Sequence, residues 1–341
     1  MSNPETDKIK VIVANDFSDD IMAQLKAVSP RLDITRYKED VPSSAWAEAE
    51  VLYTGRTFPL PEQAPRLRWI QLPSAGMDSA LHHPIVQAED VVITSTSGMH
   101  AKQLANYTWL MILAFNFDLP KWMINKGQSL WPENPLEGGS PVDVDKQTVG
   151  IVGYGSIGRE IARLAQAFGM RVLASKRDIK NPAQSESEYM PAGIGDPEGD
   201  IPERIYPGEA VATMAAESDY LAVTLPLTEG TRHMINERVF DSMKPNAVII
   251  NVGRGGVIDE KAMITALSSG KIRGAGLDVF EEEPLPSTSP LWNLDNVIIS
   301  PHVGGATSTY QEQAAAIFAE NLRRYVDNRP LLNALQRDTG Y

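Results

Sequence analysis

The stretch VGIVGYGSIGRE, residues 149–160, sets three glycines at G-x-G-x-x-G spacing: Gly153, Gly155 and Gly158. Alone the pattern is common, and its flanks decide its meaning. Before it, "QTVGIV" reads as a strand with Val149, Ile151 and Val152 apolar. After it, "SIGREIARLAQAFGM" reads as a helix with Ile157, Ile161, Leu164 and Phe168 at helical spacing. Strand, turn and helix in that order read as a phosphate cradle, with a purely structural turn as the alternative. Gly153 permits the tight turn, Gly155 lets the backbone approach a pyrophosphate, and Gly158 lets helix and strand pack closely. The helix N-terminus, at Ser156 and Ile157, offers N–H groups and a partial positive charge.

Outward from this stretch, short apolar runs alternate with longer amphipathic ones. "KVIVAN" (10–15), "AEVLYT" (49–54), "LRWIQL" (67–72) and "DVVITS" (90–95) read as buried strands. "HAKQLANYTWLMILAFNF" (100–117) reads as a long, largely buried helix. After a Pro- and Gly-rich loop the alternation restarts with "TVGIVG", "MRVLAS", "DYLAVTL", "NAVIINV", "RGAGLDVF" and "NVIISP". Such alternation predicts parallel sheets with helices on both faces, and two blocks of it predict two α/β domains. The length of 341 residues agrees, since single cores stop growing at roughly 250–300 residues. "TYQEQAAAIFAENLRRYVDN" near the C-terminus is one more amphipathic helix. Asp178 to Glu209, rich in Pro, Gly and acids, reads as a surface excursion. A solvated loop is one reading of it, and a substrate or subunit contact the other.

Composition narrows the classes of partner. The net charge is −13 and the pI about 4.9, so nucleic acid is not expected. With no cysteine, disulfides, thiolate catalysis and Cys-based metal sites are excluded. The polar start "MSNPETDKIK" carries no apolar signal region. No apolar run approaches the ~18 residues that span a bilayer, so a cytoplasmic protein without membrane contact is expected.

The fingerprint calls for an acid at the end of the second strand, to hold the ribose 2′-hydroxyl. Here that strand is "RVLASKRD", and the slot falls near Lys176, next to Arg177. Two cations there favour NADP(H), with NAD(H) as the alternative; Asp178 is the candidate acid if the register shifts by two. Polar groups also follow three later strands. Arg254 stands in "VIINVGRGGVID", Asp278 in "GLDVFEEEP", and His302 in "NVIISPHVGG". Ligands of open parallel sheets sit beyond the carboxyl ends of the strands. An Arg can bind a carboxylate in bidentate fashion. A His can exchange the alcohol proton near neutral pH, and a Glu can orient its ring. The remaining histidines do not suggest a site. His82 and His83 are adjacent and point in different directions, His100 starts the buried helix, in a structural role or else near the cleft, and His233 lies on a surface loop. No metal-ligand spacing occurs, and none is expected to be needed.

In order, the glycine motif, "NVGRGGVIDE", "GLDVFEEEPL" and "ISPHVGG" resemble the D-2-hydroxyacid dehydrogenases, and the likeness covers nearly the whole chain. It implies an NAD(P)-dependent enzyme that interconverts a 2-oxoacid and a D-2-hydroxyacid. Arg254 would bind the substrate carboxylate and carbonyl, His302 would be the acid/base, and Glu283, directly before Pro284, its partner. Glu281 and Glu282 are left as surface charges. Asp278 would contact the nicotinamide carboxamide. Leu225, Pro226, Thr231, Val252, Gly253 and Gly304 would line the cofactor. Ala75 and Gly76 in "LPSAG" would hold the substrate carboxylate through their N–H groups, with Arg56 in "TGRT" a further contact. The implied architecture is a Rossmann-type cofactor domain, residues 103–302, inserted into a flavodoxin-like substrate domain of residues 1–102 and 303–341. Two crossings and a homodimer through the cofactor domains are implied too. Ala105-Asn106 and Phe117 depart from positions where many members carry Ala-Glu and Arg, which touches pocket polarity and hence substrate. Other architecturally related activities remain: formate or phosphite oxidation, the former disfavoured by Glu283, or a nicotinamide-sensing corepressor.

Overall fold

Twelve strands, all paired in parallel, build two sheets in a computed structural model that describes residues 8–38, 40–77, 80–135 and 140–336. The chain divides into two units. One comprises residues 1–99, 185–191 and 307–341, and the other residues 100–184 and 192–306.

The first unit holds β1 (Ile9–Ala14), β2 (Leu32–Arg36), β3 (Val51–Thr54), β4 (Trp69–Gln71) and β5 (Val92–Thr94), in spatial order β2-β1-β3-β4-β5. This is the flavodoxin-like order, which has its switch point between β1 and β3. Both sheet faces are covered. Phe17, Ile21, Leu25, Phe318 and Leu322 pack on one side, and Trp46, Leu67, Ile85 and Val86 on the other. The helix Tyr310–Val326 thus completes a core begun three hundred residues earlier. β2 was not among the strands expected from sequence. It is an edge strand with alternating exposure, so it lacks the continuous apolar run of a central parallel strand.

The second unit holds β6 (Thr148–Val152), β7 (Arg171–Ser175), β8 (Arg204–Tyr206), β9 (Tyr220–Val223), β10 (Val248–Asn251), β11 (Gly274–Leu277) and β12 (Val297–Ile299). Their order is β12-β11-β10-β9-β6-β7-β8, a Rossmann order with one strand added beyond β11. The order reverses between β6 and β9, which puts the glycine loop beside the crevice where such sheets bind nucleotides. The helix Ala101–Asn116 packs Leu104, Ile112 and Phe115 against one face. No helix among the described residues is long and apolar enough to cross a membrane.

The excursion is not simply a solvated loop. It begins after β7, contains β8, and is organised around Asp196, which is 3% exposed. The Asp196 carboxylate accepts from Gly199 N (3.1 Å), Ile201 N (3.2 Å) and Tyr154 Oη (2.5 Å). Arg159 donates to the carbonyls of Asp196 and Pro182, both at 2.5 Å, and Glu160 accepts from Gly195 N at 2.7 Å. Arg159 and Glu160, although charged and outside the expected apolar positions of the helix, are each 1% exposed. Phe168, expected to be inside, is 46% exposed and stacks on Trp109 at 4.2 Å. Residues 185–191 group with the first unit, so the chain passes between the units four times rather than twice. There Asn333 N donates to Ser187 O (2.8 Å) and Tyr189 N donates to Asn333 Oδ1 (2.9 Å). Tyr189 packs with Met99, Ala314 and Ile317.

Candidate active site

β6 ends at Val152, and the next residue, Gly153, turns with φ +107°, a conformation that disfavours any side chain. A Cβ on Gly158 would lie 2.3 Å from Gly153 O, so helix and strand touch there. A Cβ on Gly155 would meet nothing within 4 Å. Gly155 is the N-cap of the helix Ser156–Ala167, and no side chain caps it. An open concavity at an uncapped helix N-terminus fits a pyrophosphate. Gly153, Gly155, Ser156, Ile157 and Gly158, the dinucleotide contacts expected from sequence, all lie on this strand-to-helix turn.

The slot expected from sequence to meet the ribose substituent adjoins this loop. Ser175 O, at the end of β7, accepts from Gly153 N (3.2 Å) and Tyr154 N (3.0 Å), which puts Lys176 and Arg177 next to the cradle. The Lys176 ammonium gathers the carbonyls of Asn181 (2.5 Å), Ala183 (3.1 Å) and Pro182 (3.3 Å). It thereby ties down the start of the excursion. Arg177 is exposed. Asp178 folds back on its own loop, accepting from Asn181 Nδ2 (2.6 Å) and Lys180 N (3.0 Å). Those two bonds, the Asn181 side chain first, hold its carboxyl below the usual range.

The other motif residues stand on loops after β9, β10, β11 and β12, at one edge of the same sheet. Leu225 and Pro226 follow β9, where Thr231 Oγ1 donates to Pro226 O (2.6 Å) and shapes the turn. Val252 and Gly253 follow β10, and both are buried. Asn251, 1% exposed, donates to Arg254 O (3.1 Å) and accepts from Gly253 N (3.1 Å). It sets the backbone from which Arg254 projects, a role not read from sequence. Arg254 Nη1 also donates to Gly253 O (2.9 Å).

Glu283 and His302 meet. His302 Nδ1 lies 2.7 Å from Glu283 Oε2, while Phe280 N donates to Glu283 Oε1 at 3.0 Å. A carboxylate only accepts, so Nδ1 carries the proton and Nε2 is the nitrogen available for exchange. His100 Nδ1 donates to Gly305 O at 3.0 Å. Burial, aided by the nearby charges of Arg254 and His302, pushes the His100 pKa down against the pull of that bond. Arg254 and His302, far apart in sequence, thus bear on one neighbouring ring.

Asp278 is 1% exposed. Its Oδ1 accepts from Ser300 Oγ (2.6 Å) and Val303 N (2.8 Å), and its Oδ2 from Gly304 N (2.9 Å). With one donor seen on it, Oδ2 keeps acceptor capacity for a second, as a carboxamide contact would require. Glu281 is exposed, as expected of a surface charge; its Oε1 pairs with His233 Nε2 at 2.9 Å, and its N donates to Glu260. One reading of the histidines needs correction. His82 and His83 do not diverge: their rings lie 4.1 Å apart, and His83 stacks on Phe58, also at 4.1 Å.

The expected substrate contacts lie in the first unit. Thr54 Oγ1 accepts from Arg56 N (3.3 Å) and Thr57 N (3.0 Å), fixing the turn after β3. After β4, the loop bearing Ala75 and Gly76 is pinned through its carbonyls. Thr96 Oγ1 (2.8 Å) and Tyr310 Oη (3.0 Å) donate to Pro73 O, and Ser74 Oγ donates to Gly76 O (2.7 Å).

Residues 110–304 match the family model of the D-isomer specific 2-hydroxyacid dehydrogenase, NAD binding domain. The chain is 32% identical to a glyoxylate reductase of Aeropyrum pernix over 307 residues, covering 85% of this chain and 84% of that one. It is 32% identical to glyoxylate/hydroxypyruvate reductase B of Pectobacterium carotovorum over 318 residues, covering 92% and 94%. A D-isomer specific 2-hydroxyacid dehydrogenase from Xanthobacter autotrophicus, solved with NADPH and MES, superposes with a TM-score of 0.77. Identity is 27%, and the match covers 97% of this chain and all of that one.

Proposed function

Because the chain belongs to the D-isomer specific 2-hydroxyacid dehydrogenase family and is an NAD(P)-dependent dehydrogenase, we propose that it reduces a small 2-oxoacid, glyoxylate or hydroxypyruvate, to the D-2-hydroxyacid. The observation that carries the reading is the His302–Glu283 pair at 2.7 Å, in the same unit as the uncapped glycine loop. The bound nicotinamide supplies the hydride. The rest falls to side chains. Arg254 pairs with the substrate carboxylate and polarises the carbonyl. His302 delivers the proton from Nε2 to the carbonyl oxygen, and takes it back in the reverse direction. Glu283 fixes the ring by accepting from Nδ1. Arg56 and the N–H groups of Ala75 and Gly76 supply further substrate contacts. The two named relatives support the choice of substrate.

We assign NADP(H) as the favoured cofactor, with Arg177 as the phosphate contact. Support comes from the cations beside the cradle and the local commitment of Asp178. A homodimer is also part of the proposal. Leu110, Phe117, Trp122, Met123, Leu130 and Trp131 are all exposed, Trp131 to 87%, on the first stretch of the second unit. Exposed apolar clusters of this kind mark association surfaces. The test is a panel of 2-oxoacids with either reduced cofactor, followed by cofactor absorbance. Turnover of glyoxylate or hydroxypyruvate supports the reading. Activity confined to phosphite, or binding of the dinucleotide without turnover of any oxoacid, overturns it.

A further inference from the structure

His302 has φ +55°, a left-handed backbone that a residue with a side chain adopts only when its surroundings enforce it. The enforcement comes from Asp278. His302 N donates to Asp278 O (2.9 Å), and the next two N–H groups, of Val303 and Gly304, converge on the Asp278 carboxylate. The loop therefore wraps a single buried acid.

Further contacts reach this acid from the helix Ala101–Asn116. Tyr107 Oη lies 2.6 Å from Ser300 Oγ, which lies 2.6 Å from Asp278 Oδ1. The direction of the chain follows from proton counting. Asp278 can only accept, so the one Ser300 proton goes to it; Ser300 then accepts, and Tyr107 is the donor. Burial first, then the nearby Asp278 charge, push the phenol pKa up against the pull of the Ser300 bond, so Tyr107 keeps its proton across the working range. The Tyr107 ring also abuts Gly304: a Cβ there would lie 3.1 Å from Tyr107 Cγ and 2.9 Å from Asp278 Oδ2.

We propose that Tyr107 is a positioning residue for His302, acting through Ser300 and Asp278, a role that rests on His302 being the acid/base. Hydrogen bonds to a buried carboxylate are strong and directional. Removing the phenol hydroxyl leaves Ser300 free to turn, so Asp278 loses one of the donors that fix its plane. The Val303 and Gly304 N–H groups then lose their seat, and with it the aim of the imidazole.

The experiment compares kcat, KM and dinucleotide affinity in full-length variants. Tyr107→Phe should lower kcat for 2-oxoacid reduction by about 5–20-fold, the worth of one hydrogen bond in a charged network. The Kd for the dinucleotide, read by fluorescence titration, should change less than about twofold. Ser300→Ala should match it, the double variant should be no worse than either alone, and Ser300→Thr, which keeps the hydroxyl, should restore most of the rate. In a His302→Ala background Tyr107→Phe should have no further effect. An unchanged kcat in Tyr107→Phe overturns the inference, as does an equal loss in the His302→Ala background, which would mark a generic structural effect. Should Tyr107→Phe fail to fold, the Ser300→Ala and Ser300→Thr pair decides. Full activity of His302→Ala would instead sink the acid/base reading itself.

Discussion

Replacing Arg177 and Lys176 one at a time separates two cations that look equivalent in sequence. An ammonium has three N–H donors, and the Lys176 donors are matched to three carbonyls at 2.5, 3.1 and 3.3 Å. To a 2′-phosphate it offers only charge. At ~6 Å in water one unit charge is worth a factor of about three, and less at physiological salt. A bidentate guanidinium contact is worth roughly 10–100-fold. Arg177→Ser should therefore lower the ratio of kcat/KM for NADPH over NADH by about 10–100-fold, whereas Lys176→Met should lower it by less than about fivefold. Lys176→Met should instead loosen the excursion, seen as faster limited proteolysis between residues 178 and 203. The assay is steady-state kinetics with both cofactors at low ionic strength, repeated at raised salt, where the preference should shrink. The reasoning is refuted if Lys176→Met abolishes the preference while Arg177→Ser spares it. It is also refuted if the wild-type protein uses NADH as well as NADPH; Asp178 would then have to leave Asn181 and Lys180 to serve the ribose.

His302→Ala should cut kcat by roughly 10²–10⁴-fold with cofactor binding intact; a variant near full rate excludes the role. Glu283→Gln keeps the shape but loses a charge-assisted bond at 2.7 Å, and a fall in kcat of about 10–100-fold is expected. His100 has its pKa lowered in the folded state, chiefly by burial. The unfolded chain therefore binds more protons, and stability drains away as pH falls through about 6.5 toward the folded value. Urea unfolding at pH 7.5 and 5.5 should show a smaller acid penalty for His100→Gln than for the wild type, and equal penalties would contradict the assignment. Asp196→Ala strands Tyr154 Oη and the Gly199 and Ile201 N–H groups. It should destabilise by about 2–5 kcal/mol in the same assay, and a loss below ~1 kcal/mol would mean the excursion is not organised by Asp196.

Central strands and the glycine loop were legible because burial on both faces demands unbroken apolar runs, as in "VIIN" of β10. The missed strands, β2 and β8, are both edge strands, one in each sheet. One has a half-exposed face, and the other is only Arg204–Tyr206. The buried charges of Arg159, Glu160 and Asp196 escaped because pattern reading equates charge with solvent. Each of them has backbone partners in a segment that has no periodicity of its own. Arg254, Glu283 and His302 were visible as motif residues. Tyr107 and Ser300 were not, because nothing local in either stretch announces a bond across 193 positions.

The placement of Ser185–Pro191 in the first unit bears on how this enzyme can be recombined. Neither half is a clean cassette. A cofactor module excised as residues 100–306 would carry Tyr189 away from Met99, Ala314 and Ile317, leaving an apolar ring on its surface. The remainder, joined from residue 99 to residue 307, would keep Asn333 with its amide turned toward a backbone that is gone. Gly98 would be left empty-handed as well, since its missing Cβ, 2.1 Å from Tyr189 O, makes room for that segment alone. Chimeras that swap substrate preference between relatives should therefore exchange three pieces of chain rather than two.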